Sequence, residues 1–192
     1  TMVITITNAP FVDAGPDQVV CANNSDVTLA GDVGGATSTG IWSTTGDGTF
    51  TPSSTDLNAT YLAGANDITN GSAIIILTST GNGLCLPEVD SMNITYTTPP
   101  VANAGLDQTG CANNPLGLNG VITGGSGTGI WTTPNGSGSF TPSSVALTGN
   151  YTPTNSDTAV SPIMLILTST FNGGCFADAD TVMITVVPGP EV

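Results

Sequence analysis

The chain has 192 residues, of which 14 are acidic and none is Lys, Arg or His, so it carries a formal charge of −14 with no fixed positive side chain. Phosphate neutralisation needs Lys or Arg and anionic lipid attracts basic patches, so nucleic acid and acidic membrane surfaces are excluded as partners. Without histidine as general base, or cations to stabilise anionic transition states, triad hydrolases, kinases and histidine-ligated metalloenzymes drop out, and the chain reads as a non-enzyme. Every carboxylate must be solvated, hydrogen-bonded or neutralised by a bound cation, because a buried unpaired charge is too costly.

Hydrophobic residues make up 39% of the chain and charged ones only 7%, which is enough apolar material to build cores. The longest apolar stretches, Ala73 to Leu77 and Ile163 to Leu167, fall far short of the roughly 20 residues that span a bilayer, and no signal-peptide pattern opens the chain. The expectation is a soluble, processed fragment with no direct membrane insertion.

Chain order is dominated by an internal repeat. Ala14-Gly15-Pro16-Asp17-Gln18 returns 90 residues later as Ala104-Gly105-Leu106-Asp107-Gln108, and Cys-Ala-Asn-Asn occupies both 21–24 and 111–114. Phe50 recurs at Phe140, Tyr61 at Tyr151, Asp67 at Asp157, Cys85 at Cys175 and Asp90 at Asp180. The offset slips to 89 between Leu29/Leu118 and Trp42/Trp131 and then recovers, so the length changes fall in turns, which tolerate them. The pattern divides the chain into 1–7, the last strand of a preceding repeat; 8–97 and 98–187, two full repeats; and 188–192, the start of a following one. On this reading the parent polypeptide is longer.

Within a repeat, about seven strands are expected, near 16–20, 26–31, 38–44, 48–51, 57–62, 72–80 and 89–97. Short β-rich runs separated by Gly, Asn, Asp and Pro clusters predict an all-β chain of tandem immunoglobulin-like β-sandwich repeats. Val27-Thr28-Leu29 and Met92 to Tyr96 alternate apolar and polar, whereas the unbroken Ala73 to Leu77 predicts the most buried strand. No stretch shows helical periodicity. Trp42 and Trp131 follow Cys21 and Cys111 at the distance of a core Trp beside an immunoglobulin disulfide, and Phe50, Phe140, Tyr61 and Tyr151 are the other expected core aromatics.

Four cysteines allow three pairings, and Cys21–Cys85 with Cys111–Cys175 places the same 64-residue separation inside each repeat. One disulfide within each repeat is the expectation, each stabilising by roughly 4 kcal/mol on the loop-entropy model. Disulfides need an oxidising compartment, so an extracellular, cell-surface location is expected. The missing Lys and Arg also deny trypsin-like proteases a cleavage site.

Asp17, Asp67, Asp90, Asp107, Asp157 and Asp180 recur in both repeats and are candidate Ca²⁺ ligands, the one cofactor the sequence suggests. The alternative is that they close Asx turns or cap strands, which the lack of a compact Asp-x-Asp-x-Asp-Gly loop favours. Asn-x-Ser/Thr sequons are scattered through a chain so rich in Asn and Thr that chance supplies them. Ser91, Thr158 and Thr181 stand in Asp-Ser/Thr-aliphatic contexts like the O-glycosylation acceptors of Bacteroidota. Glycine clusters at Gly46 to Gly48 and Gly124 to Gly129 lack the Lys and helix of a phosphate loop and read as hairpin turns.

Together, Ala-Gly-x-Asp-Gln, Cys-Ala-Asn-Asn, Gly-Ile-Trp, the Gly-x-Gly-Thr/Ser-Phe turn and the second Cys ahead of Asp-Ser/Thr resemble the repeats of SprB-like giant adhesins of Bacteroidota; the opening is also similar to that of PKD-type modules. The resemblance implies type IX secretion, display as long surface filaments, a role in attachment or gliding, and contact with neighbouring repeats and with a surface or polysaccharide target. Two other readings stay open: a self-assembling fibre or surface-layer subunit joined by a donated strand, and a carbohydrate-binding accessory module.

Overall fold

A computed structural model describes residues 2–4 and 6–189. Two compact units, residues 1–97 and 98–192, each carry their own core and are taken one at a time. Among the described residues the first contains nine strands: β1 (Phe11–Asp13), β2 (Gln18–Cys21), β3 (Val27–Thr28), β4 (Asp32–Gly34), β5 (Thr39–Thr44), β6 (Thr49–Thr51), β7 (Thr60–Leu62), β8 (Ser72–Thr80) and β9 (Val89–Thr97), with a six-residue helix α1 (Ala65–Asn70) before β8. The second unit runs β10 (Val101–Asn103), β11 (Gln108–Cys111), β12 (Leu116–Asn119), β13 (Val121–Thr123), β14 (Thr128–Thr132), β15 (Ser139–Thr141), β16 (Thr148–Thr152), β17 (Ile163–Thr170) and β18 (Ala179–Val187), with a 3₁₀ turn over Asn155–Ala159 where the first has its helix. Among the described residues no helix is long and apolar enough to cross a membrane.

In the first unit one sheet has the order β2-β9-β8-β5 and the other β3-β7-β6, with β1 and β4 paired as a short ribbon. All ladders are antiparallel except β2 against β9, which is parallel and pairs Gln18 with Ile94 and Cys21 with Thr97. The second unit repeats this arrangement, with β11-β18-β17-β14 facing β12-β16-β15 and Cys111 beside Val187 in the parallel pair. Two antiparallel-rich sheets enclosing one apolar layer form an immunoglobulin-like sandwich in each unit.

The core follows from side-chain alternation. Ala73, Ile75 and Leu77 of β8 and Met92, Ile94 and Tyr96 of β9 point inward with Trp42, Tyr61, Leu29 and Val27. Trp42 and Trp131 are buried, as are Tyr61 and Tyr151, while Phe50 and Phe140 lie half-buried against their tyrosines at centroid distances of 5.2 and 5.0 Å. Ala73 to Leu77, expected to form the most buried strand, lies in β8, which has the most buried residues of its unit, but Ile74 departs from the run: it is 44% exposed, because in a strand even an unbroken apolar run sends alternate side chains to opposite faces. α1 is a second departure, since fewer than two turns cannot display a helical period. It ends at Gly71, whose φ of 77° is the left-handed conformation that closes a helix.

Gly31 packs directly against Trp42: a Cβ at Gly31 would lie 2.6 Å from Trp42 Cζ2 and 2.8 Å from Leu77 Cδ2. Gly120 stands in the same relation to Trp131 and Leu167, at 2.7 and 2.8 Å. Replacement of either glycine therefore has to push an indole buried in a closely packed interior. Gly31→Ala is expected to destabilise the first unit by about 1–3 kcal/mol. Gly117→Ala, at a strand position where a Cβ meets nothing within 4 Å, is expected to be neutral; urea unfolding of the full chain with each substitution checks the contrast.

Candidate functional site

The cysteines stand at the ends of each unit, and the elements that carry them explain their chemistry. Cys21 closes β2, level with Thr97 at the far end of β9, and the Ala22 N–H donates to the Thr97 carbonyl at 3.0 Å. Cys85 lies in the loop from β8 to β9, just before β9 begins. That loop is fixed by Ser79, whose buried hydroxyl accepts the Glu88 N–H at 2.8 Å, and by the Cys85 N–H donating to the Asn82 carbonyl at 3.0 Å. The second unit repeats both devices: the Ser169 hydroxyl accepts the Asp178 N–H at 2.9 Å and the Cys175 N–H donates to the Asn172 carbonyl at 3.0 Å.

Cys21 and Cys85 thus flank opposite ends of β9, a nine-residue strand that at about 3.3 Å per step is roughly 26 Å long. A disulfide needs Cα atoms within about 7 Å, so a bond inside the repeat is impossible. The expected pairing is overturned accordingly: Cys85 and Cys111 are free thiols, and Cys21 and Cys175 are the disulfide-bonded cysteines. No disulfide lies beside Trp42; the Trp42 indole N–H donates instead to the Asp56 carbonyl at 3.1 Å, and that of Trp131 to the Leu147 carbonyl at 3.2 Å.

The six recurring aspartates sit apart, each accepting backbone N–H groups. Asp17 accepts from Asn93 at 2.7 Å and Asp107 from Met183 at 2.9 Å, fastening the segment before the parallel strand onto β9 and β18. Asp90 accepts from Ala14 and Asp180 from Ala104, both at 2.8 Å. Asp67 is buried and accepts the Tyr61 hydroxyl at 2.6 Å, the Gly64 N–H at 3.0 Å and the Asp47 N–H at 3.2 Å. Asp157 is buried likewise and accepts the Ser137 N–H at 2.7 Å, the Ser137 hydroxyl at 2.8 Å and the Thr154 N–H at 2.8 Å. Among the described residues no three His, Cys, Asp or Glu side chains gather to hold a metal. Asp67 and Asp157 are the third residues of the short helical turns, reaching back to the N–H ahead of them. Thr154-x-x-Asp157 is a capping pattern that could have revealed the second turn from sequence.

Of the candidate acceptor hydroxyls, Ser91 and Thr181 are exposed on β9 and β18. Thr158 is half-buried and donates to the Asn155 carbonyl at 2.8 Å.

No protein-family model and no curated protein matches the chain. Among solved structures, a three-immunoglobulin-domain fragment of titin is similar at 13% identity and a TM-score of 0.48, over 94% of this chain and 66% of that one. The insect immune protein hemolin is similar at 12% identity and a TM-score of 0.49, covering 94% of this chain and 47% of its own. Sidekick-1 immunoglobulin domains 1–4 are similar at 12% identity and a TM-score of 0.48, covering 97% and 51%. The chain thus spans between about half and two thirds of these structures.

The buried polar groups set how the fold responds to pH. Burial, with the hydrogen bond to Asp67, pushes the Tyr61 hydroxyl up to about 12. Burial raises Tyr96 and Tyr151 too, and these are all the tyrosines of the chain. A phenol whose folded pKa exceeds its unfolded value of about 10 contributes stability that is complete below pH ~10 and is lost as pH rises through the folded pKa. Phenolate absorbance should therefore appear only well above pH 10 and together with unfolding; a normal titration in the folded chain would contradict this. Asp157 is displaced the other way, because the hydrogen bonds from Ser137 and Thr154 outweigh the burial that opposes its charge. Its stabilisation is present above the ordinary carboxylate range and is lost as pH falls through its lowered pKa.

Tyr61→Phe strips a donor from a buried carboxylate and should cost about 1–3 kcal/mol. Tyr96→Phe removes a buried hydroxyl that has no partner and should be neutral or stabilising, as chemical denaturation would show. Calcium and chelator are expected to leave the melting temperature unchanged.

Proposed function

We propose that this chain is a segment of a long extracellular array of immunoglobulin-like repeats whose work is mechanical and adhesive and not catalytic. The observation that carries the reading is the match between residues 2–6 and the inward face of β9. Met2, Ile4 and Ile6 are 85, 72 and 89% exposed, yet their counterparts one repeat later, Met92, Ile94 and Tyr96, are 2, 0 and 7% exposed. Val182, Ile184 and Val186 repeat the pattern at 0, 0 and 4%. Residues 1–7, of which 1 and 5 lie outside the described residues, thus have the side chains of a final strand whose sheet belongs to another repeat. The notion that 188–192 begins a further repeat rests on sequence, and 190–192 also lie outside the described residues. A disulfide supports an oxidising compartment and hence secretion.

At a finer level, the sequence resemblance supports a SprB-like adhesin of Bacteroidota exported by a type IX system, bearing glycans on the exposed Ser91 and Thr181, and meeting a surface or polysaccharide target. A second reading draws on the same apolar strand: donated to another copy, residues 2–7 would polymerise the chain without a covalent join.

The test is to precede the chain, in register, with a further copy of residues 98–180. Amide exchange at Val3 and Thr7 should slow at least 100-fold, as in a central strand, and unchanged exchange would defeat the array reading. Protection that appears in the unextended chain and grows with its concentration would favour strand donation between copies.

A further inference from the structure

Within the second unit a cleft of about 320 Å³ opens where the edge strand β11 of one sheet comes beside the edge strand β12 of the other. That volume lies at the lower end of the range that small-molecule sites occupy. The repeat's opening motif, Ala104 to Gln108, forms one wall, and Gly117 and Asn119 of β12 form the other. Gln108 bridges the walls, its Nε2 donating to the Gly117 carbonyl at 2.9 Å, which leaves Oε1 as an acceptor. Asp107 gives Oδ1 to the Met183 N–H at 2.9 Å, which leaves Oδ2 for a ligand. Asn119 is exposed and brings an amide that both donates and accepts, and Leu106, 88% exposed, adds an apolar shoulder.

Two residues that the first unit lacks shape this cleft. The strand registers set Leu116 opposite Tyr151 and Val27 opposite the equivalent Tyr61, so Gly117 and Asn119 correspond to Thr28 and Ala30. A Cβ at Gly117 or Gly105 would meet nothing within 4 Å, so the space above both is free of the unit's own atoms. Thr28 places a side chain at the first position, and Ala30 offers no polar group at the second. We infer that the second unit's cleft binds a neutral sugar residue, a pyranose that turns vicinal hydroxyls to Asp107, Gln108 and Asn119 and its C–H face to Leu106. The open atoms are mostly acceptors, which suits a ligand rich in O–H donors. A carboxylate in a chain without cations repels uronic acids and phosphates. One carboxylate between amides also falls short of the six to eight oxygens that Ca²⁺ takes. The inference deepens the polysaccharide target of the proposed function and rests on that part of the reading alone.

The test titrates the full chain with D-glucose, D-galactose, D-mannose, N-acetyl-D-glucosamine and cellobiose while amide shifts are followed by NMR. At least one sugar should give saturable shifts at Leu106, Asp107, Gln108, Gly117 and Asn119, and none at Asp17, Gln18, Thr28 and Ala30. Gly117→Thr, which installs the first unit's residue, and Asn119→Ala should each weaken that binding at least about 10-fold with the urea midpoint unchanged. Saturable shifts confined to other residues, or binding that both substitutions leave intact, overturn the site and leave the polysaccharide reading standing. If none of the five sugars binds, the site and the polysaccharide target fall together. Amide exchange at Val3 and Thr7 reads the array separately in every case.

Discussion

A chain with carboxylates and no cation has only neutral donors, backbone N–H groups and hydroxyls, as internal partners for a buried negative charge, and the sandwich is organised around that constraint. Asp67 and Asp157 gather N–H and hydroxyl donors at the crossing from one sheet to the other, which fixes the turn entering β8 and β17. Asp17 and Asp90 do the complementary job at the parallel edge, tying the segments around the first short strands to β9. Carboxylates that could have gathered into a metal site are instead spread out, each serving its own N–H group. The short edge strands need this help, because four residues of parallel pairing are weak compared with the nine-residue strands of the middle of the sheet.

Much of this was legible in the sequence where side-chain alternation is strong. The long strands 72–80 and 89–97 emerge with the bounds that alternation implied, and the aromatic positions that recur between the repeats lie in the interior or pack against it. Elements too short to carry a period were not legible: the three-residue ribbon of β1 and β4, the six-residue helix, and the parallel direction of β2, which no local pattern encodes. Ile74 shows the opposite failure, an apolar residue on an outward face that composition alone assigns to the core.

The cysteines were misread for a reason inherent in periodic chains. The repeat gives Cys21 and Cys85 a fixed separation along the sequence but says nothing of their separation in space. That takes the length and direction of the strand between the sulfurs. β9 supplies both, placing Cys21 at its finish and Cys85 ahead of its start.

Trp42 and Trp131 are the two tryptophans of the chain, one buried in each core. Each indole therefore carries the optical signature of its own sandwich, and a chain that keeps only one of them reports the loosening of a single repeat with no signal from the other.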